Sequence, residues 1–590
     1  MAIRTSNNGE FCDSSFFTLV ANDLDNLFLR TTDYKKRFAI HRQLTRLRKK
    51  YCPKGSKNPK ADRAAIDNFL NIQKEVSRPR CSFDPETLGE MKSFIFHVLE
   101  HGCYQLSKTP VAGTTFDPEL ILERWGTGPG SSNGAEFQHF VEKLGDNKLS
   151  YCNYADYLLP YLADVSPNVF SRFVCGAHEK LLQVSGSRGA CVPKTPDISR
   201  FIASEPVLNM ALQLGVGQFI ADSLKLCGLN IQNQQEKNAF LAKQGSLTGD
   251  SVGNRLATID LKDASDRITP FLAATLLPED RKLLRFILAV RSPTILVDGE
   301  EIRVASLSTM GNGFTFPLMT LFCLAAVYAV GRTKLGWKRN YVPWDSVGVF
   351  GDDIICPVSI YPDVVKTLEG MGLKVNVDKS FAEGYFRESC GGDFYQGYDV
   401  TPVYIKDVTT IEGKLIALNQ LIKWSAFHEL PMWTSLSYLA SAIPSKYRNL
   451  VPSWEADYAG LRTTEPMGSF TRARKRFEPL ACHVHGEFKL ACVLGGYILP
   501  EVVPEGYVVV NDIDYALRVE FAKEVDLQSL DQTPVNFCES IVRYVTREAR
   551  YKYALQHVER PIGHRSSIGA GGYTRRVGWV ERLTYALSLL

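Results

Sequence analysis

Two short apolar runs, Val347-Gly348-Val349-Phe350 and Ile354-Ile355-Cys356-Pro357, are separated only by Gly351-Asp352-Asp353. Apolar, partly β-branched runs joined by so brief a break predict a β-hairpin with glycine in the turn and carboxylates at its tip. Adjacent carboxylates repel one another and stay ionised only beside cations. Any fold of this chain therefore has to bury two apolar strands and leave a doubly acidic turn open at one end of a sheet.

Leu256-Ala257-Thr258-Ile259-Asp260-Leu261 alternates like a further strand and places Asp260 near its C-terminal end. Adjacent antiparallel strands would bring Asp260 to Asp352 and Asp353. Hard oxygen ligands of this kind suit Mg²⁺, which also binds substrate phosphates. Two such ions about 3.5–4 Å apart stabilise the attacking and leaving oxygens of a phosphoryl displacement. Mn²⁺ accepts the same oxygen shell and would substitute. Aspartates at strand ends are also ordinary turn formers, so the pattern alone leaves a structural role open.

The intervening chain is punctuated. Thr269-Pro270 reads as an N-cap with Pro at N1, opening a helix over Phe271–Leu277. A second helix is predicted from Pro278 to Val290, then a hairpin turn at Val297-Asp298-Gly299-Glu300. The apolar run Phe316–Val330 is shorter than the ~20 residues a membrane span needs and reads as a core helix. Ser308-Thr309-Met310-Gly311-Asn312-Gly313-Phe314-Thr315-Phe316 lies between the two acidic strand ends. Its glycines permit close backbone approach, and Thr309, Asn312 and Thr315 offer donors and acceptors to a ribose or base. Val192-Pro193-Lys194 and Ser199-Arg200 put two cations on an extended segment suited to a triphosphate.

A chain of 590 residues with 45% hydrophobic and 11% aromatic residues builds several packed units and is not disordered over most of its length. Its formal net charge of +4 means that contact with nucleic acid has to come from local clustering of charge. Two such clusters stand out. Lys35–Lys50 predicts an amphipathic helix with a positive face, either solvated or docking RNA or protein. In Phe537–His557, Arg543, Arg547 and Arg550 share one helical face, which would lie against RNA. The 14 cysteines form no CxxC pair, which suits buried thiols in a reducing compartment. Cys482-His483-Val484-His485 with Cys492 is a weak metal-like cluster. No signal peptide is visible at the N-terminus.

The succession VPK…R, ATIDLKDASD, STMGNGFTF, FGDDI and KSFAEGYFRESCG with DVTPVYIK, from about Val192 to Lys406, resembles the catalytic subunit of the RNA replicases of small positive-strand RNA bacteriophages, the levivirus family. The resemblance implies an α+β right-hand polymerase fold with fingers, palm and thumb and an antiparallel palm sheet. The implied division is 1–110 for an N-terminal basic helical region on the fingers and thumb, 111–255 for fingers, 256–405 for palm, and 406–590 for thumb and a basic C-terminal region. It implies RNA-directed RNA polymerase activity that copies a viral genome from ribonucleoside triphosphates.

Residue by residue, the resemblance makes Asp260, Asp352 and Asp353 the ligands of two Mg²⁺ ions. Ser265 and Asp266 would sense the ribose 2′-hydroxyl. Lys194 and Arg200 would bind triphosphate, and Thr309, Gly311, Asn312 and Gly313 would select nucleotide and template. Lys379 would protonate pyrophosphate, and Arg387 to Gly391 would lie near the 3′ end of the growing RNA. The chain departs from many viral polymerases at Met319, where Asn is frequent, and at Phe350, where Tyr is frequent; the ribose-reading group stays open. Implied partners are single-stranded template and nascent RNA, the host elongation factors Tu and Ts, and for some members a ribosomal protein. The implied location is the cytoplasm of an infected bacterium, with no membrane. A reverse transcriptase shares the palm and two-metal chemistry, but the small polar Ser265-Asp266 favours ribonucleotides over it. A non-catalytic RNA-binding protein with structural carboxylates is the alternative from another class.

Overall fold

In a computed structural model the described residues are 11–463, except 54–55, 57, 80, 129–130, 136–142, 144–147, 176–179, 248–254, 445–446, 448–449, 453–456 and 459, together with 489–494 and 497–502. The Cys482–His485 cluster and the arginine stripe of 537–557 lie outside them.

The chain begins with α1 (Asp13–Arg30), α2 (Tyr34–Arg46), α3 (Pro59–Val76), α4 (Pro85–Leu106) and α5 (Pro118–Glu123). Then come β1 (Lys148–Tyr151), α6 (Leu159–Val165), α7 (Pro167–Cys175), β2 (Lys180–Gln183), β3 (Ser187–Thr195) and β4 (Ile198–Ser204). Next are α8 (Val207–Leu226), α9 (Ile231–Leu247), β5 (Leu256–Ile259), β6 (Leu261–Lys262), α10 (Pro270–Leu276) and α11 (Lys282–Val290). They are followed by β7 (Thr294–Val297), β8 (Glu300–Arg303), α12 (Thr315–Leu335), β9 (Gly348–Phe350), β10 (Asp353–Pro357) and α13 (Tyr361–Gly370). The last are β11 (Lys374–Val375), β12 (Phe386–Ser389), β13 (Gly392–Tyr395), β14 (Tyr398–Asp399), α14 (Ile411–His428) and α15 (Trp433–Ser441), then strand pairs β15 (Leu450–Pro452) with β16 (Leu461–Thr463) and β17 (Lys489–Leu494) with β18 (Tyr497–Val502). Helices are mixed with mostly antiparallel strands, which fits an α+β class.

The sheet that positions the site runs β5-β10-β9, all antiparallel, with Ile354 opposite Ile259 and Asp353 opposite Phe350. Both faces are covered, which is why its strands read as nearly unbroken apolar runs. Leu256 and Ile355 point to Leu241 and Ala242 of α9. Ala257, Ile259, Ile354 and Cys356 point the other way, into the main core with α12. The period-2 geometry of a strand sends successive side chains to opposite faces.

Helix α12 is apolar on all sides, as a helix buried on all sides must be. It is longer than the apolar run predicts, since it continues through Gly331-Arg332-Thr333-Lys334 to a left-handed cap at Gly336. Among the described residues it is the one helix long and apolar enough to cross a membrane, yet 83% of its apolar window is buried inside the protein. Tyr328 stacks on Phe94 of α4, centroids 4.2 Å apart. Helix α10 begins as expected, with the Thr269 hydroxyl accepting from the Leu272 N–H at 3.0 Å. Helix α11 starts at Lys282, not Pro278. Pro278–Arg281 closes a turn instead, and Arg281 sits in the left-handed region.

A second sheet, β4-β3-β7-β8, carries the β3–β4 hairpin toward the carboxylate end of the first. A second core joins Phe16, Val20, Leu24 and Ile40 of α1 and α2 to Leu415, Leu418 and Leu421 of α14 and Leu436 and Leu439 of α15. Helix α4 belongs to the main core. The described residues up to 110 are therefore divided among three cores, α1 and α2 in the second, α4 in the main one, and Ile66 and Phe69 of α3 in a smaller one with Phe201 and Ile295.

Candidate active site

The register decides the geometry. Because Ile354 faces Ile259, the next residues outward, Asp353 and Asp260, sit at the same end of neighbouring strands, with Asp352 in the adjoining turn. Gly351 is required there twice over. Its φ is +62°, and a Cβ would lie 2.3 Å from Cε2 of Phe316. The Gly351 N–H donates to the Thr320 hydroxyl at 3.0 Å, which ties the turn to α12.

Each carboxylate is held separately. Asp260 Oδ2 accepts from Asn376 Nδ2 at 2.7 Å and lies 3.5 Å from Lys379 Nζ. Asp353 Oδ1 accepts from the Cys390 N–H at 3.2 Å and the Ser389 hydroxyl at 3.3 Å, in the β12–β13 turn. Burial pushes Asp353 up to about 6 against the Cys390 N–H, and the charges of Asp352 and Asp260 add to the rise. Asp352 is raised too, by burial and by Asp260, while its own backbone N–H, Lys379 and Arg200 oppose.

Among the described residues no three His, Cys, Asp or Glu side chains stand close enough to hold one ion in this conformation. The donor set nonetheless fits a hard divalent cation. It offers carboxylate oxygens only, two of them destabilised by burial and mutual charge, and such an ion relieves both penalties.

The β3–β4 hairpin supplies nearby cations. Val192 pairs with Arg200 and Pro193 with Ser199, but the register slips before Thr195, leaving Lys194 in a bulge. A bulge re-aims its side chain, and Lys194 ends in the field of Asp260 and Asp352. Burial, Arg200 and Lys379 lower its pKa, while those two carboxylates oppose. Lys194, Arg200 and Lys379 thus surround the acidic sheet end.

The Ser308–Gly313 loop is docked. Thr309 N–H and hydroxyl both donate to Asn312 Oδ1, at 2.7 and 2.9 Å. Gln213 Oε1 accepts from Asn312 Nδ2 and the Gly313 N–H. Gly311, at φ +143°, lies where a Cβ would be 2.0 Å from the Ala203 carbonyl oxygen. Buried Asp266 accepts from the Met310 N–H at 3.2 Å and is pushed up to about 7, chiefly by burial. The Ser265 carbonyl accepts from the Ser308 hydroxyl at 3.0 Å. These groups hold one another; the sequence reading gave them to a ligand directly.

A family profile described as RNA replicase, beta-chain matches residues 160–458. The chain belongs to this family. It is 40% identical over 271 residues to the RNA-directed RNA polymerase beta chain of Escherichia phage MS2, covering 45% of this chain and 46% of that one. It is 37% identical over 315 residues to the beta chain of Enterobacteria phage fr, covering 52% and 54%. The RNA-directed RNA polymerase subunit beta of Escherichia virus Qbeta is 35% identical over 270 residues, 45% and 42% of the two chains. The chain thus spans about half the length of the curated relatives it matches. The crystal structure of the RNA-dependent RNA polymerase of a human picorbirnavirus aligns over 73% of this chain and 81% of that one at 13% identity, with a TM-score of 0.42, too loose a likeness to argue from.

Several residues of this replicase-family site carry no sequence signal of their own. Asn376 and Thr320 reach Asp260 and the acidic turn only through folding, whereas Ser389 and Cys390, on Asp353, lie within the Arg387–Gly391 segment. Glu205, fully buried, accepts from Gln213 Nε2 at 2.8 Å and the Ser292 hydroxyl at 2.7 Å, and so backs the residue that holds the loop. Arg387 has a structural role. Its side chain is fully buried and donates to the carbonyls of Leu256, Ala382, Glu383, Gly384 and Phe386, so Arg387 braces strands while Ser389 and Cys390 of the same segment meet Asp353. The positive face of α2 is largely engaged within the protein. Arg42 pairs with Glu388 and Asp393, and Lys36 with Glu429. Arg37 stacks over Phe28.

Proposed function

We propose that this chain is an RNA-dependent RNA polymerase that copies a viral RNA genome from ribonucleoside triphosphates. The observation that carries the reading is the β5–β10 register, which sets Asp260 beside the Asp352-Asp353 turn under the cations of β3–β4. Family membership supports it. The architecture we assign is a right hand, with the β5-β10-β9 sheet as palm within 256–405, the β3–β4 hairpin in fingers at 111–255, and a thumb from 406; residues 1–110 bridge the two ends.

Asp260, Asp352 and Asp353 would hold two Mg²⁺ ions, which supply charge neutralisation and Lewis acidity for nucleotidyl transfer. The chain's own groups do the rest. Lys194 and Arg200 attract and orient the triphosphate. Lys379, 3.5 Å from Asp260 Oδ2, would donate to the leaving pyrophosphate. The Thr309–Gly313 loop, rigidified by Gln213 and Asp266, presents Ser265 and backbone groups toward the nucleotide.

The RNA template and nascent strand would occupy the cleft. Elongation factors Tu and Ts, and a ribosomal protein, are proposed partners in the cytoplasm of an infected bacterium. Purification from such a host, followed by identification of co-purifying proteins, tests that part. The catalytic part is tested by extension of a primed RNA with single nucleotides. Mg²⁺-dependent incorporation of rNTPs, with dNTPs far slower, is expected. Equal use of both sugars would favour a reverse transcriptase.

A further inference from the structure

The Ser308–Gly313 loop is held from behind by two buried polar side chains outside every sequence motif, Gln213 of α8 and Glu205 just before that helix. Gln213 Oε1 accepts from the Gly313 N–H at 3.1 Å and from Asn312 Nδ2 at 3.2 Å. Its Nε2 donates to the Val290 carbonyl at 3.0 Å and to Glu205 Oε2 at 2.8 Å. A backbone N–H can only donate and a carbonyl can only accept, so the amide has one orientation. The Ser292 hydroxyl, donating at 2.7 Å, fixes Glu205 Oε2 in turn. An apolar pair would fill the same space but would leave the Gly313 N–H without an acceptor.

Backbones meet closely at this contact. A Cβ on Gly217, one turn along α8, would lie 2.4 Å from the Gly313 carbonyl oxygen, and one on Gly313 would lie 2.7 Å from the Leu214 nitrogen. The loop has no room to move toward α8, and Gln213 keeps it from moving away. Two links carry that position to the site. Asn312 Oδ1 is taken by the Thr309 N–H and hydroxyl, and one Nδ2 hydrogen by Gln213, so Asn312 can offer a ligand only a donor. The loop then runs into α12, where the Thr315 hydroxyl donates to the Thr309 carbonyl at 3.0 Å and the Phe316 ring lies 4.7 Å from that of Phe350, beside Gly351.

We propose that Gln213, backed by Glu205, is a positioning residue for sugar selection: it holds Asn312 as a donor for a sugar hydroxyl and holds the start of α12 against the acidic turn. The proposal rests on the polymerase reading. A site that donates to a hydroxyl oxygen rejects the sugar lacking it, because the donor is then left unpaired. Without Gln213, Asn312 is held by Thr309 alone, and the donor can turn away from the ribose.

The test is extension of a primed RNA with each rNTP and its 2′-deoxy counterpart by wild type, Gln213→Met, Gln213→Glu and Glu205→Gln/Gln213→Glu, with melting followed on the same preparations. Gln213→Met should lower the ratio of kcat/KM for rNTP over dNTP about tenfold. Gln213→Glu sets a second carboxylate against Glu205 and should lose as much. The exchanged pair returns a donor to an acceptor across the same contact, keeps an oxygen on Asn312 and Gly313, and leaves the Val290 carbonyl its bond from Asn209 Nδ2 at 2.9 Å. It should restore the ratio to within about twofold of wild type. A Gln213→Met protein with lowered melting and an unchanged ratio would overturn the proposal and make the pair a core contact only. So would an exchanged pair that melts like wild type with the ratio still reduced, which decides the matter where Gln213→Met does not fold. A wild type that does not extend RNA fails the polymerase reading itself, a result seen before any variant is compared.

Discussion

The two ends of β5 treat buried charge in opposite ways. At Leu256 the strand carbonyl accepts from Arg387, a guanidinium with no carboxylate partner among the described residues, caged by five carbonyl oxygens and pushed down to about 10 by burial and Arg255. At the other end Asp260 meets Asp352 and Asp353, whose carboxylates are destabilised chiefly by burial and by neighbouring negative charge. Charge whose hydrogen bonds are met by the backbone builds structure. Charge left short of partners beside a cleft is available for ligands.

The sharpest way to break that contrast is to remove the satisfied charge. Arg387→Met strands the caged carbonyls in the interior and should lower unfolding free energy by about 4 kcal/mol, read by urea denaturation. A loss under about 1 kcal/mol would show that water reaches the cage and that the two ends are less different than described.

The difference between the ends also explains what could be read from sequence. Gly351-Asp352-Asp353 was legible because hairpin chemistry is local, as was the Thr269-Pro270 start of α10. Asp260 was legible because a strand end is a local feature and the family motif marks it. That the Arg387 side chain itself braces β5 was not legible, because β12 buries its polar residues. Arg387 and Ser389 face inward, while Phe386 faces out onto Phe38 and under Arg42. Nothing in Phe-Arg-Glu-Ser says which face is covered. The partners of α2 were equally hidden, since Arg42 finds Glu388 and Asp393 only through the tertiary fold. Asn376 and Cys390 meet the carboxylates for the same long-range reason.

A third buried group sharpens the comparison through pH. His428 of α14 lies against Trp424 and Phe427, with Nδ1 2.9 Å from the Tyr398 hydroxyl, and burial holds its pKa down to about 4. Unfolded, it titrates near 6.5, so between pH 6.5 and 4 the unfolded chain takes up a proton that the folded chain refuses. Its contribution is complete above pH 6.5 and lost as pH falls toward 4, roughly 3 kcal/mol in all. Urea midpoints across that range should converge for wild type and His428→Phe as the solution is acidified. A constant difference would mean that His428 is not kept neutral by burial.

The smallest effect on stability belongs to Asn376→Ala, about 1 kcal/mol, because the carboxylate it leaves is near solvent. Its functional effect should be larger. Freed from Asn376 Nδ2, Asp260 loses its fixed orientation, and the Mg²⁺ needed for half-maximal extension should rise about tenfold. An unchanged Mg²⁺ requirement would place that hydrogen bond with the structural charges and not with the site.

The central claim is that the under-satisfied carboxylates at the far end of β5 carry out metal-dependent RNA synthesis. Single-nucleotide extension of a primed RNA template by wild type and Asp353→Asn, with RNA affinity and thermal unfolding measured on the same preparations, tests it most directly. Turnover should fall roughly a thousandfold, about 4 kcal/mol of barrier, with RNA binding unchanged and melting no lower than in wild type. An Asp353→Asn protein that extends RNA within about tenfold of wild type would contradict the account.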